Sequence, residues 1–126
     1  MKSFFVAMAI LLALIISGLA FNTCLNGTAN TLLANCGKIN NEIEAENFEG
    51  AYQDAEAISE YIDENKGLLS SILDHSNIDQ IEQEVSELLG YTKKQDLVNS
   101  VVSIKKLTHL IEHLPENYAL RLQNIL

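Results

Sequence analysis

The sequence predicts an all-α protein, an N-terminal transmembrane helix continuing into a small antiparallel helical bundle made of two αα-hairpins. Three observations carry this. Residues 4–21 form an eighteen-residue run with no ionisable group. Apolar residues recur at alternating steps of three and four through most of the remainder, the spacing that lines one face of a helix. The only proline is Pro115, so nothing before it forces a helix to break.

The apolar run comes first. At about 1.5 Å per residue it makes a helix of roughly 27 Å, close to the ~30 Å hydrocarbon thickness of a bilayer. Eleven of its residues are Phe, Val, Ile or Leu, which gives an insertion term of about −5 kcal/mol. A rival reading is a cleaved signal peptide: Lys2 supplies a basic start, and Gly18-Leu19-Ala20 offers small residues for cleavage after Ala20, which would release a secreted helical protein. The length of the run, with no proline after it, favours retention. A lipoprotein signal is not formed, because Phe21-Asn22-Thr23 stands before Cys24 where small residues are needed. Lys2 precedes the span and the next basic residue is Lys38, so the N-terminus is expected in the cytoplasm. Residues 1–21 then form a signal-anchor at the cell membrane and residues 22–126 a single extracytoplasmic helical domain.

Beyond the anchor, Leu25, Ala29, Leu32, Cys36, Ile39 and Ile43 form a heptad seam. It predicts one long helix leaving the bilayer and reaching about Ala45. Gly27, Gly37 and several asparagines are poor helix formers, so this segment needs a packing partner. The next segment supplies it, with Asn47 as the expected cap and Phe48, Ala51, Ala55, Ile58 and Ile62 on one face. Gly67 is expected to end that helix in a left-handed cap, followed by a short apolar piece over residues 68–73. Ser76 and Asp79 fit a capping box for a third helix, whose buried stripe is Ile78, Ile81, Val85, Leu88 and Leu89. After a polar turn at Lys93-Lys94-Gln95-Asp96, a fourth helix carries Leu97, Val101, Ile104, Leu107 and Ile111 and stops at Pro115. The tail, 116–126, reads as a short closing helix or a strap. A faint repeat at an offset of forty-nine residues maps Phe48, Tyr52, Ala55, Ile58 and Ile62 onto Leu97, Val101, Ile104, Leu107 and Ile111. The same offset maps Leu32, Cys36 and Ile39 onto Ile81, Val85 and Leu88, although one heptad pattern easily matches another by chance.

Composition narrows the function. Seventeen acidic residues against eight basic ones give a formal net charge of −9, which repels a polyanion, so nucleic acid is not an expected partner. Residues 42–64 hold nine carboxylates and no Lys or Arg, read first as a solvated helix face and otherwise as a surface for cations or a basic partner. Cys24 and Cys36 on one helix would stand about 18 Å apart, too far to bridge. Cys36 is expected to be a free buried thiol, and a bridge between chains through Cys24 is the outside alternative.

Histidines supply the one constellation worth weighing as chemistry. His109-Leu110-Ile111-Glu112-His113 spells the H-x-x-E-H of some zinc proteases, but too little chain follows to supply a third ligand. If the last two helices fold back about Lys94, His75 comes level with His113 and Asp79 with His109. Asp74, His75, Asp79, His109, Glu112 and His113 then form one polar patch, read first as a hydrogen-bonded latch and second as a metal site using His75, Asp79, His109 and His113. There is no nucleophile elbow and no glycine-rich phosphate loop. No catalytic residue, cofactor or enzymatic activity is expected.

Glu46-Asn47-Phe48, Asn65-Lys66, Leu73-Asp74-His75, Ile78-Asp79, Ile111-Glu112-His113, Pro115-Glu116-Asn117 and the ending Asn124-Ile125-Leu126 follow the apolar start in a fairly specific order. In this the chain resembles the small single-span bacterial proteins of the domain-of-unknown-function family forty-three sixty-three. That resemblance implies an anchored helical domain and no assigned activity. Where the family tends to carry tryptophan this chain has Phe48, and His75 and His113 belong to the family's pattern while His109 does not. The expected function is a membrane-anchored helical interaction or scaffold module of the cell envelope; the alternatives are a metal-binding protein and a secreted one. Its expected partners are the bilayer and another membrane or envelope protein, with a homo-oligomer possible. The seam of the first helix and the apolar tail are the expected contact surfaces.

Overall fold

A computed structural model describes residues 1–114, with side-chain positions for all of these except 21–26 and 72. Pro115 and the tail, 116–126, lie outside the described residues, as does the side chain of Cys24. Five helices and no strand occur among the described residues: α1 Lys2–Glu44, α2 Phe48–Glu64, α3 Lys66–Ile72, α4 His75–Lys93 and α5 Leu97–Glu112.

The first of these has two environments. Over Lys2–Ala20 it is apolar, with a mean hydropathy of 2.5 and none of it buried, long enough to cross a membrane. From Ala29 onward the same helix buries Leu32, Cys36, Ile39 and Ile43. The remaining helices close around that stripe. α2 and α5 both pack against α1, and α4 packs against the same two, so α1 faces α4 across the core. α1 and α4 run away from the apolar segment and α2 and α5 run back, which makes two antiparallel hairpins. The short α3 bridges α2 and α4 at the end nearest that segment.

Turn chemistry repeats to the atom. Leaving α1, the N–H groups of Ala45, Glu46 and Asn47 donate to Asn41, Ile43 and Glu42. Forty-nine residues on, those of Lys94, Gln95 and Asp96 donate to Gly90, Thr92 and Tyr91. Glu46 and Gln95 are the two described non-glycine residues with positive φ, at 57° and 58°. Such a conformation costs an L-residue about 1–2 kcal/mol, and here it reverses the chain within three residues. Asn47 then accepts the Gly50 N–H at 3.2 Å, and Asp96 accepts the Asn99 N–H at 3.1 Å, each capping the helix that follows.

The core obeys the same offset. Buried Ala29, Leu32, Cys36, Ile39 and Ile43 correspond to buried Ile78, Ile81, Val85, Leu88 and Thr92. Buried Ala51, Ala55, Ile58 and Ile62 correspond to Ser100, Ile104, Leu107 and Ile111. The repeat is therefore a property of the fold: two copies of one hairpin related by a pseudo-two-fold axis that runs along the helices. Only Leu69, Leu73 and Leu114, at the near end, stand outside these pairs in the described hydrophobic core.

Four expectations are corrected. Gly67 is not a left-handed cap; no described glycine has positive φ, and Gly67 lies within α3. Asn65 closes α2 instead, with its backbone N–H 3.1 Å and its side-chain Nδ2 2.8 Å from the Tyr61 carbonyl. Ser76 and Asp79 do not form a capping box, because α4 already begins at His75 with extended Asp74 at the cap position. From Ala29 to Ile43 the seam of α1 is consumed inside its own bundle, so these residues offer no outer contact surface, and the side chain of Leu25 lies outside the described residues. Leu97, placed on the core face by its spacing, is exposed at the start of α5, while Phe48 at the matching place is half-buried.

Two buried hydroxyls test the pairing. Thr92, which stands where the first hairpin has Ile43, donates to the Leu88 carbonyl at 2.8 Å. Ser100, which stands where it has Ala51, is fully buried with no partner for Oγ. An unpaired buried hydroxyl costs about 1–3 kcal/mol. Ser100→Ala should therefore raise the stability by about 1 kcal/mol, seen as a higher denaturation midpoint with an unchanged slope.

Candidate functional site

His109 on α5 and His113 at its C-cap lie one turn apart and meet edge to face, with ring centroids 4.2 Å apart. The shallow depression beside them is completed from α4 by Asn77, Gln80 and Ile81. Hairpin folding does bring this level of α4 to the two imidazoles. The α4 residues that line the depression carry amide and aliphatic groups, whereas His75 and Asp79 are exposed on the first turn of that helix. Glu112 is exposed and Asp74 half-buried at the cap. Among the described residues no three His, Cys, Asp or Glu side chains gather into a group that could hold a metal ion.

Beside this near end lies an apolar cavity of about 20 Å³, lined from α1 by Thr28, Ala29 and Leu32 and from the other helices by Ile62, Leu69, Leu73, Ile78, Ile81 and Leu114. That is room for about one water, and an apolar lining of this kind gives a water no partners. The cavity is a packing gap between α3 and the main helices.

A polar cluster missed in the sequence joins α1 to α2. Lys38 Nζ lies 3.3 Å from Asp54 Oδ2 and 3.4 Å from Oδ1. One turn further along α1, Glu42 lies over Gly50, and a Cβ at Gly50 would come 2.5 Å from Glu42 Oε2. That oxygen is buried with no hydrogen-bond partner. Burial first, and then contact with the Asp54 carboxyl, push the Glu42 acid up to about 7 against the pull of Lys38. The second hairpin has Tyr91, Asn99 and Ser103 at the positions of Glu42, Gly50 and Asp54, so the carboxyl pair occurs once. Its signal in the sequence was a glycine in the first turn of α2 with a carboxylate at the matching height on α1.

Elsewhere the helices present contrasting outer faces. α2 exposes Glu49, Gln53, Glu56, Ala57 and Glu60. Tyr52 donates to Glu56 along this face, which raises the phenol above its ordinary range. At the matching positions α5 exposes Val98, Val102, Lys105, Lys106 and His109. Val98 keeps 70% of its surface open and Val102 keeps 44%.

Cys36 is free and buried, as its place in the seam requires. Desolvation pushes its thiol up to about 11, Thr108 lowers it through a hydrogen bond, and Glu112 raises it. It is a packing group, with almost no reactive thiolate at neutral pH.

Fold and surface together define a class: a two-hairpin helical bundle carried on a helix of membrane-spanning length and composition. The chain belongs to the family described as Domain of unknown function (DUF4363), whose profile matches residues 19–125. No curated protein and no solved structure matches it.

The Glu42 acid gives a pH prediction with a definite sign. Its folded value, about 7, lies above the ordinary 4.5. Between these limits the folded state binds more protons than the unfolded one, so this group's contribution to stability falls as pH rises through that window and is level above it. Glu42→Gln should shrink the loss of stability between pH 5 and pH 8, measured by denaturant titration at both values. For Cys36, labelling by a thiol reagent should proceed no faster than the bundle opens, and it should become rapid in denaturant.

Proposed function

We infer that this protein is a membrane-anchored, extracytoplasmic helical interaction module without enzymatic activity of its own. One observation carries the reading: the unburied apolar segment Lys2–Ala20 and the central core stripe from Ala29 to Ile43 belong to a single unbroken helix. An anchor continuous with a core helix fixes the bundle's tilt and height over a bilayer, which suits a protein that holds a partner at a set distance from the membrane. The lone Lys2 ahead of the segment supports a cytoplasmic N-terminus, with the bundle on the far side. Among the described residues the surface offers outer helix faces and shallow depressions, which supports binding more than chemistry.

A leader cleaved after Ala20 would leave the described core whole, because the first buried residue among those described is Ala29. The two readings therefore separate at the mature N-terminus and not at the fold. Full-length protein should begin at Met1, sediment with membranes and resist alkaline carbonate extraction. Leu12→Arg should release it, since one central arginine offsets about 3 kcal/mol of an insertion term of roughly 5. A mature chain beginning at Phe21 would overturn the anchor.

A further inference from the structure

We propose that the partner of the α5 outer face is the α2 outer face of a second copy, so that anchored chains stand side by side in rows. This rests on the anchored-module reading, because the membrane is what holds neighbouring copies at one height. Among the described residues nothing covers the outer face of α5, on which exposed Val98 and Val102 lead into Lys105 and Lys106. α2 runs in the same direction, and the forty-nine-residue symmetry places its own outer stripe at the same height on the opposite side of the bundle. When one copy is slid along the bilayer against the next, Gln53 comes level with Val102 and Glu56 with Lys105, while Glu60 lies one turn below. The positions on both faces are spaced four, three and four residues apart, the spacing at which two parallel helices interlock.

Charge selects this pairing over its rivals. α2 carries six acidic residues and no basic one, whereas Lys105 and Lys106 are the only fixed charges on α5 ahead of Glu112. A two-fold contact of α5 with α5 would set lysines against lysines, and one of α2 with α2 would set carboxylates against carboxylates. Only the unlike contact is complementary. Because the two faces lie across the bundle from each other, each copy offers one while using the other, and the contact extends instead of closing. The net charge of −9 opposes approach at long range, but that repulsion is screened beyond about 8 Å at physiological salt. A single pair of helix faces makes a small interface, so confinement to the bilayer supplies the effective concentration it needs.

The test uses full-length chain in its native membrane, with Cys24→Ser as background. Gln53→Cys and Val102→Cys on the same chain should give, on oxidation, a ladder of dimers, trimers and higher species, while each alone stays monomeric. Lys105→Glu with Lys106→Glu should reduce the ladder at least roughly tenfold. Adding Glu56→Lys and Glu60→Lys to that pair should restore it. Gln53, Glu56, Glu60, Val102, Lys105 and Lys106 are all exposed, and unchanged helicity by circular dichroism confirms that the variants fold. Dimers from Val102→Cys alone, or no cross-link with both cysteines present, overturn the proposal. Linkage of Val102→Cys to a different protein also overturns it, yet leaves the anchored module standing, because membrane sedimentation of the same samples reads the anchor independently.

Discussion

One helix belongs to two environments, and the rest of the molecule depends on that sharing. α1 is apolar on every side over its first nineteen residues and apolar on one stripe thereafter. An all-round apolar helix is stable where nothing polar competes, whereas a striped helix requires neighbours to cover its stripe. The change of pattern within one rod therefore dictates a bundle beginning where the apolar segment ends. α2 returns along α1 because the turn at Ala45–Asn47 permits no other direction, and the second hairpin covers what the first leaves open.

The doubling of that hairpin explains why the interior and the exterior look unrelated. Interior positions must interdigitate at near-crystalline density, so the two copies keep apolar or small residues at matching levels. Exterior positions carry no such demand. The same symmetry that pairs Ile58 with Leu107 pairs Glu56 with Lys105 and Gln53 with Val102. The Lys38, Glu42 and Asp54 cluster likewise occurs in the first hairpin alone. A symmetric core thus carries a polar asymmetry across its width, and nearly all of the acidic excess lies on the first copy.

Much of the fold was legible because burial in a helix bundle is periodic. Steps of three and four carried α1 to within a residue of its end, and Asn47 caps α2 as its type and position indicated. Errors fell where two residues compete for one role. Gly67 was the natural helix terminator, but Asn65 reached the Tyr61 carbonyl first and left the glycine free to enter another helix. Ser76 offered a capping box, but Asp74 already held the extended conformation that starts α4 one turn's fraction earlier. The histidine patch was placed at the right level by counting about the turn, but counting says nothing about which face a side chain takes. Asn77 and Gln80 turn toward His109 and His113, and Asp79 turns out. The Glu42 cluster was hidden for a different reason: its perturbation comes from a close approach that only Gly50 allows, and closeness between helices is not written in either one alone.

Continuity of α1 is itself a consequence of packing. Between the apolar segment and the turn it contains Asn22, Asn26, Asn30, Asn35, Asn40 and Asn41 as well as Gly27 and Gly37. Relative to alanine these residues disfavour a helix by a total on the order of 5 kcal/mol. Neither glycine has a neighbour within 4 Å of where its Cβ would stand, so close approach does not account for them. The opposing contribution is burial: Leu32, Ile39 and Ile43 each gain about 1.5–3 kcal/mol when covered by α2 and α5. Take the bundle away and this stretch has little reason to remain helical, while the apolar segment keeps its own. The rigid link between segment and domain therefore exists only in the folded molecule, and the direction in which the segment leaves the domain is set by the bundle's packing.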